Sequence, residues 1–157
     1  MRLYRICPEP FVENFTGLGG SYKSGGRWNL PGIPVMYFAL SASVALLEMA
    51  NYLPSPRFVP KNYRLAIYEL NTDLVDEIDA AELPENWASF PYPHATQQRG
   101  SQWLQSCHAA ILKVPSAATP GGLEHCVLFN PGHPDSRNMK LVETKKDLFN
   151  QRTFSGI

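Results

Sequence analysis

No stretch of the sequence approaches the ~20 consecutive apolar residues that cross a bilayer. The N-terminal Met1-Arg-Leu-Tyr-Arg-Ile-Cys-Pro lacks the apolar centre of a secretory signal, so a cytoplasmic location is expected. Cysteine is scarce: there are three, an odd number with no CxxC pair, which argues against a disulfide framework. Net charge is absent too, 14 Lys and Arg offsetting 14 Asp and Glu, and this disfavours a free-standing nucleic-acid binder. Walker A, GxGxxG and GxSxG patterns are missing, as are internal repeats, heptads and low-complexity tracts.

What is present is a foldable composition, 44% apolar and 18% charged, at a length of 157 residues that suits one domain, 1–157. Six of the fourteen acidic residues fall in 71–98, a stretch without Lys or Arg, leaving the rest of the chain basic. That balance suits an anionic small molecule better than a long polyanion. The acidic stretch reads either as a solvated loop or as a face for a basic partner.

Fourteen prolines and eleven glycines cut the chain into short pieces, which favours many short strands and few helices. Strands are predicted at Leu3–Ile6, Val35–Leu40, Tyr63–Leu70, Ala109–Val114, His125–Phe129 and Met139–Val142. A helix is predicted over 43–52 with Ser41 or Ser43 as its N-cap, and a second, short one over Gly100–Cys107. Residues 16–34, with six glycines and two prolines, read as a loop, and 71–98 as irregular. The fold class is α+β, a single domain with a bent or split, mostly antiparallel sheet and few short helices.

Few residues stand out chemically. Arg27, in Gly-Gly-Arg-Trp-Asn, is either a solvated loop arginine or a rigid fork for phosphate or carboxylate, brought close to a ligand by the glycine pair. Glu48 lies in the apolar run Val44-Ala-Leu-Leu-Glu-Met-Ala50. It either occupies an exposed stripe or is a buried acid that must be paired or hydrogen-bonded. Ser116 reads as a strand-end hydroxyl capping a turn, and Tyr37, in mid-strand, as packing. In Cys107-His108 and His125-Cys126 adjacent side chains point to opposite faces, so each pair supplies at most one metal ligand, and no metal is expected.

Taken in order, Gly25-Gly-Arg-Trp-Asn-Leu-Pro-Gly-Ile-Pro-Val-Met-Tyr-Phe-Ala-Leu-Ser, Ala45-Leu-Leu-Glu48, Val114-Pro-Ser-Ala and Leu128-Phe-Asn-Pro-Gly-His-Pro-Asp resemble the RES-domain family. The likeness runs from Tyr4-Arg-Ile to the Phe149–Phe154 tail. The Arg, Glu and Ser that name the family fall on Arg27, Glu48 and Ser116. The resemblance implies a fold like that of ADP-ribosyltransferase toxins and a place in a bacterial type II toxin–antitoxin pair, with a helix-turn-helix antitoxin of the Xre type. It leaves a homodimer within that complex open. NAD is implied as substrate, not as a prosthetic group, its nicotinamide–ribose bond being cleaved by hydrolysis or phosphorolysis. Two alternatives stay open: mono-ADP-ribosylation of a specific host protein, and a non-catalytic nucleotide- or partner-binding module.

By the same resemblance Arg27, Tyr37, Glu48 and Ser116 form the active-site set, with Arg5 as a fifth. Glu48 would hydrogen-bond a ribose hydroxyl and oppose the positive charge that develops on the sugar, while Arg27 and Arg5 clamp phosphate oxygens. Tyr37 would stack on nicotinamide or shape its slot, and Ser116 would orient Glu48 or the ribose. One departure is Cys126, where many members carry Asn four residues before the Asn of the Asn-Pro motif.

Overall fold

The computed structural model of the protein describes residues 1–150, 152 and 153; Phe154, the last residue of the expected tail motif, lies outside the described residues. Seven strands form one hydrogen-bonded sheet. They are β1 (Arg2–Pro8), β2 (Met36–Ala39), β3 (Tyr63–Glu69), β4 (Val75–Glu77), β5 (Ile111–Pro115), β6 (His125–Phe129) and β7 (Lys140–Lys145). Their order is β4-β5-β6-β2-β1-β3-β7, with every pairing antiparallel except β4 with β5.

The ladder narrows sharply in its middle. β1 pairs β3 over all seven of its residues, but meets β2 through the single register pair Tyr4–Ala39. The sheet is therefore continuous yet close to divided, into β4-β5-β6-β2 on one side and β1-β3-β7 on the other. Helix α2 (Ala42–Ala50) packs over this seam against β1 and β2. Ser41 starts it as predicted, its Oγ accepting from the Val44 N–H at 3.1 Å, which satisfies a backbone donor that the helix leaves free.

Alternation along the strands gives the sheet two buried faces. Leu3, Cys7, Met36, Phe38, Ala66, Tyr68, Val127 and Phe129 pack on one face, where Phe38 meets Tyr68 and Phe129 edge-on. On the opposite face Ala39, Val44 and Ala45 pack with Tyr4, Ile6 and Cys126 under α2. Farther along that face Leu112, Val114 and Leu128 pack with Trp28, Trp87 and Leu104, the last from helix α3 (His94–Ser106).

Three expectations are corrected. Within 16–34 the chain makes one helical turn, α1 (Gly20–Ser24). Residues 71–98 contain the edge strand β4, and α3 begins six residues before the predicted Gly100. Three of the six acids in the stretch are drawn into ion pairs: Glu77 with Lys113 (2.9 Å) and His125 (3.3 Å), Asp76 with His108 (2.9 Å), and Glu82 with Arg99. Among the described residues no helix is long and apolar enough to cross a membrane.

Candidate functional site

Arg27 lies in the turn that leads from α1 to β2, where Gly26 and Asn29 form an isolated antiparallel bridge. Tyr37 reaches back from β2 into this turn. Its hydroxyl accepts from the Trp28 N–H at 3.1 Å and donates to Asn29 Oδ1 at 2.7 Å. Asn29 is wholly buried and turns its Nδ2 onto the carbonyls of Ser21 (2.8 Å) and Leu30 (3.1 Å). A Cβ on Gly26 would stand 2.7 Å from the Tyr37 hydroxyl oxygen, so only glycine lets the lock close. Burial of that hydroxyl pushes its pKa far up and keeps it a donor.

The same turn docks on α3. Gln97 Nε2 donates to the Gly26 carbonyl at 3.0 Å, and the Leu30 N–H donates to Ser101 Oγ at 2.9 Å. Trp28 crosses Gly100 so closely that a Cβ there would lie 1.9 Å from the Trp28 carbonyl oxygen. With its loop held on both sides, Arg27 is then gripped by segment 87–92. Its Nη1 donates to the carbonyls of Trp87 (2.7 Å) and Ser89 (2.8 Å), and its guanidinium carbon sits 5.0 Å from the centre of the Tyr92 ring. None of the described residues accepts from Nε or Nη2.

Glu48, on α2, is half-buried. Its Oε1 accepts two hydrogen bonds, from Ser116 Oγ at 2.5 Å and from the Cys126 thiol at 3.2 Å. Oε2 takes none from the described residues. Ser116 is buried just after β5, and its oxygen also accepts from the Ala118 N–H at 3.2 Å. Of the two roles expected for Ser116, orienting Glu48 is the one its geometry serves. Cys126 thus places a thiol donor on the acid.

Glu48 and Arg27 act on a shared set of neighbouring side chains. Burial, followed by the charge of Glu48, drives the Cys126 thiol far above its ordinary pKa, with Arg27 pulling the other way. The Tyr52 hydroxyl, bonded to that of Tyr92 at 3.3 Å, is pushed up to about 12. The hydrogen bond with Tyr92 contributes most, then burial and the charges of Tyr92 and Glu48, again opposed by Arg27. Two side chains thus feel both Glu48 and Arg27. A shallow hollow lined by Met1, Arg2, Glu69, Leu70 and Asn71 shares none of these residues.

Arg5 is not brought to the pocket, which corrects the expectation that it clamps phosphate beside Arg27. It is paired in register with Ala66, and it faces Cys7 and Tyr68 on the side of the sheet away from α2. The reason is the period of two: Tyr4 and Ile6 take the α2 face, so Arg5 cannot. Its Nη1 is buried without a hydrogen-bond partner among the described residues.

The family model described as RES domain matches residues 2–149, a span that contains Arg27, Tyr37, Glu48 and Ser116. The chain belongs to the RES-domain family. Curated relatives agree: the Prs ADP-ribosylating toxin of Sphingobium sp. is 34% identical over 144 residues, 90% of this chain and 87% of that protein. Proteins named Toxin Res from Pseudomonas putida (35% over 145 residues, 90% and 92% covered) and Photorhabdus laumondii (32% over 149 residues, 94% and 92% covered) are similar to it as well. A chain of the Mycobacterium tuberculosis MbcT–MbcA toxin–antitoxin complex shares the fold with a TM-score of 0.68 at 17% identity, over 93% of this chain and 83% of that one.

Within this RES domain several contributors were not visible in the sequence. Trp87, Ser89 and Tyr92 meet Arg27, and Tyr92 meets Tyr52, only through tertiary packing. One local signal existed for Tyr52: it follows Glu48 by four residues, a helical turn farther along α2's direction.

Proposed function

We propose that this RES domain is the toxin of a bacterial type II toxin–antitoxin pair and cleaves the nicotinamide–ribose bond of NAD. The observation that carries the reading is a carboxylate, one oxygen tied by Ser116 and Cys126 and the other free of hydrogen bonds from the described residues, near enough to a guanidinium with unspent donors that both act on Cys126 and Tyr52. NAD has matching parts: an anionic diphosphate and a ribose bonded to an already cationic base. Breaking the C–N bond moves its electron pair onto nicotinamide, which leaves neutral without a proton from the protein. No general acid is required, and a single carboxylate suffices where glycosidases use two.

In this mechanism the free oxygen of Glu48 accepts from a ribose hydroxyl and opposes the oxocarbenium-like charge. Arg27 holds diphosphate oxygens through Nε and Nη2. Ser116 and Cys126 keep the acid aimed, and the Tyr37 ring walls the nicotinamide slot. Water or inorganic phosphate then adds to the anomeric carbon, losing a proton and giving ADP-ribose or its phosphorylated form. The partner we propose is an antitoxin of the helix-turn-helix Xre type; the likeness to a chain of the MbcT–MbcA complex supports a protein partner.

The test incubates purified protein with NAD, with and without phosphate, and follows nicotinamide. Glu48→Gln keeps an oxygen to accept from Ser116 and Cys126, so the fold should stand while turnover falls ~10²–10³-fold. Release at the wild-type rate by that variant overturns the assignment. A second reading, transfer of ADP-ribose to a host protein, draws on the name of the Sphingobium relative. Mass spectrometry of an NAD-treated lysate separates the two, because only transfer leaves a modified protein.

A further inference from the structure

Arg27 and Glu48 come from different parts of the chain, and among the described residues no side-chain hydrogen bond joins α2 to the Arg27 loop. The connection between them runs through two tyrosines. Tyr92 lies under the Arg27 guanidinium, 5.0 Å from ring centre to Cζ, and its hydroxyl meets that of Tyr52 at 3.3 Å. Tyr52 closes the turn that ends α2, its N–H donating to the Met49 carbonyl at 3.0 Å, four residues beyond Glu48.

Segment 87–92 is fixed at both ends. Trp87 is buried against Trp28, with ring centres 6.4 Å apart, and the Pro93 carbonyl accepts from Thr96 Oγ1 at 2.9 Å as α3 begins. Between these anchors Ala88, Ser89, Phe90 and Pro91 are exposed. Tyr92 meets Arg27 through its ring and Tyr52 through its hydroxyl.

We infer that the Tyr52–Tyr92 pair is a tie that sets the reach from Glu48 to the anion-gripping guanidinium, with Tyr92 a positioning residue for Arg27 and Tyr52 coupling it to α2. The inference rests on the proposed role of Arg27 in holding the diphosphate. The pair acts on how a diphosphate is held, not on the bond that breaks. Its effect therefore belongs in KM and in the affinity for diphosphates, with kcat little changed.

The experiment measures ADP binding by calorimetry in the intact protein, with NAD turnover followed in parallel. Tyr52→Phe and Tyr92→Phe each keep the ring and remove one end of the same contact. Each should weaken ADP about three- to ten-fold, and the double variant should be no weaker than either single one. In an Arg27→Lys background, which keeps charge but loses the fork, Tyr92→Phe should have little further effect. With nicotinamide riboside, which carries no diphosphate, the Phe variants should match the wild type.

Multiplying losses in the double variant, an equal loss in the Arg27→Lys background, or no ADP binding by the wild type overturns the inference. The two proposals fail separately. Wild-type NAD cleavage with Phe variants that behave normally sinks the tie alone. Tyrosine-dependent ADP binding without nicotinamide release sinks the reaction and leaves the tie standing.

Discussion

Replacing Tyr37 by Phe separates two roles that one side chain was expected to combine. If the residue served only as a ring against nicotinamide, Phe would be silent. The structure has its hydroxyl locking the Arg27 loop, with Trp28 N–H donating to it and Asn29 Oδ1 accepting from it. Asn29 is 0% exposed, so in the variant its Oδ1 is left buried without its donor, at a cost of ~1–3 kcal/mol. Losing the acceptor for Trp28 N–H adds about 1 kcal/mol. The sum, about 2–4 kcal/mol, lowers the melting temperature by about 5–15 °C in a domain of this size. Scanning calorimetry measures that shift directly, and nicotinamide release should show a raised KM as Arg27 loosens. A melting temperature unchanged within about 1 °C refutes the lock. Unfolding at the wild-type temperature together with lost turnover would return the residue to a purely chemical role.

Gly100→Ala drives a methyl group to 1.9 Å from the Trp28 carbonyl oxygen, and both partners are backbone-bound. A stability loss of at least ~3 kcal/mol is expected from urea unfolding, while Gly20→Ala, whose Cβ meets nothing within 4 Å, should change it by under ~1 kcal/mol. Among the cysteines, exposed Cys107 should be alkylated by iodoacetamide at pH 8, whereas burial keeps the Cys7 and Cys126 thiols protonated and slow. Equal labelling of Cys126 and Cys107 in the native protein, read by mass spectrometry, contradicts the packing around Glu48. Asp76 gives a pH dependence. Burial raises its pKa, but hydrogen bonds from His108 (2.9 Å) and Trp103 Nε1 (2.7 Å) outweigh that and hold it below the usual value. Its stabilising share is therefore complete above the unfolded pKa of ~3.9 and is lost as pH falls through the lower folded value. Asp76→Asn should flatten the acid limb of the stability–pH curve, and an unchanged limb refutes the assignment.

How much of this was legible in the sequence depends on what each element packs against. Most strands were readable within a residue or two, β7 running three residues past the predicted Val142, and His125–Phe129 coincides with β6. β4 was not, because Val75-Asp-Glu carries two charges in three residues and becomes a strand only by parallel pairing with Ile111–Lys113. The first half of α3 was missed for a different reason. Its buried positions are Thr96, Gly100, Ser101 and Leu104, a helical spacing written mostly in small or polar residues. Gly100 and Ser101 face the Arg27 loop, whose backbone comes too close to Gly100 for a side chain, so a count of apolar positions passes over them.

The same argument explains the pocket. Glu48 was conspicuous because an acid in an apolar helix needs a partner, and Ser116 and Cys126 supply it. Arg5 misled because both faces of β1 are buried: period-two alternation says that Arg5 and Tyr4 part company, but not which face holds the acid. Arg27 was visible as a residue and invisible as a geometry. Its direction is set by carbonyls and an aromatic ring about sixty residues away in the chain, and no local pattern encodes that distance. The pocket's chemistry thus lies in residues that local reasoning can single out. Its dimensions lie in the grip of the Trp87 and Ser89 carbonyls and the Tyr92 ring on Arg27, and in the Tyr52–Tyr92 contact, which only folding assembles, so variants of the two tyrosines test the geometry without touching Glu48.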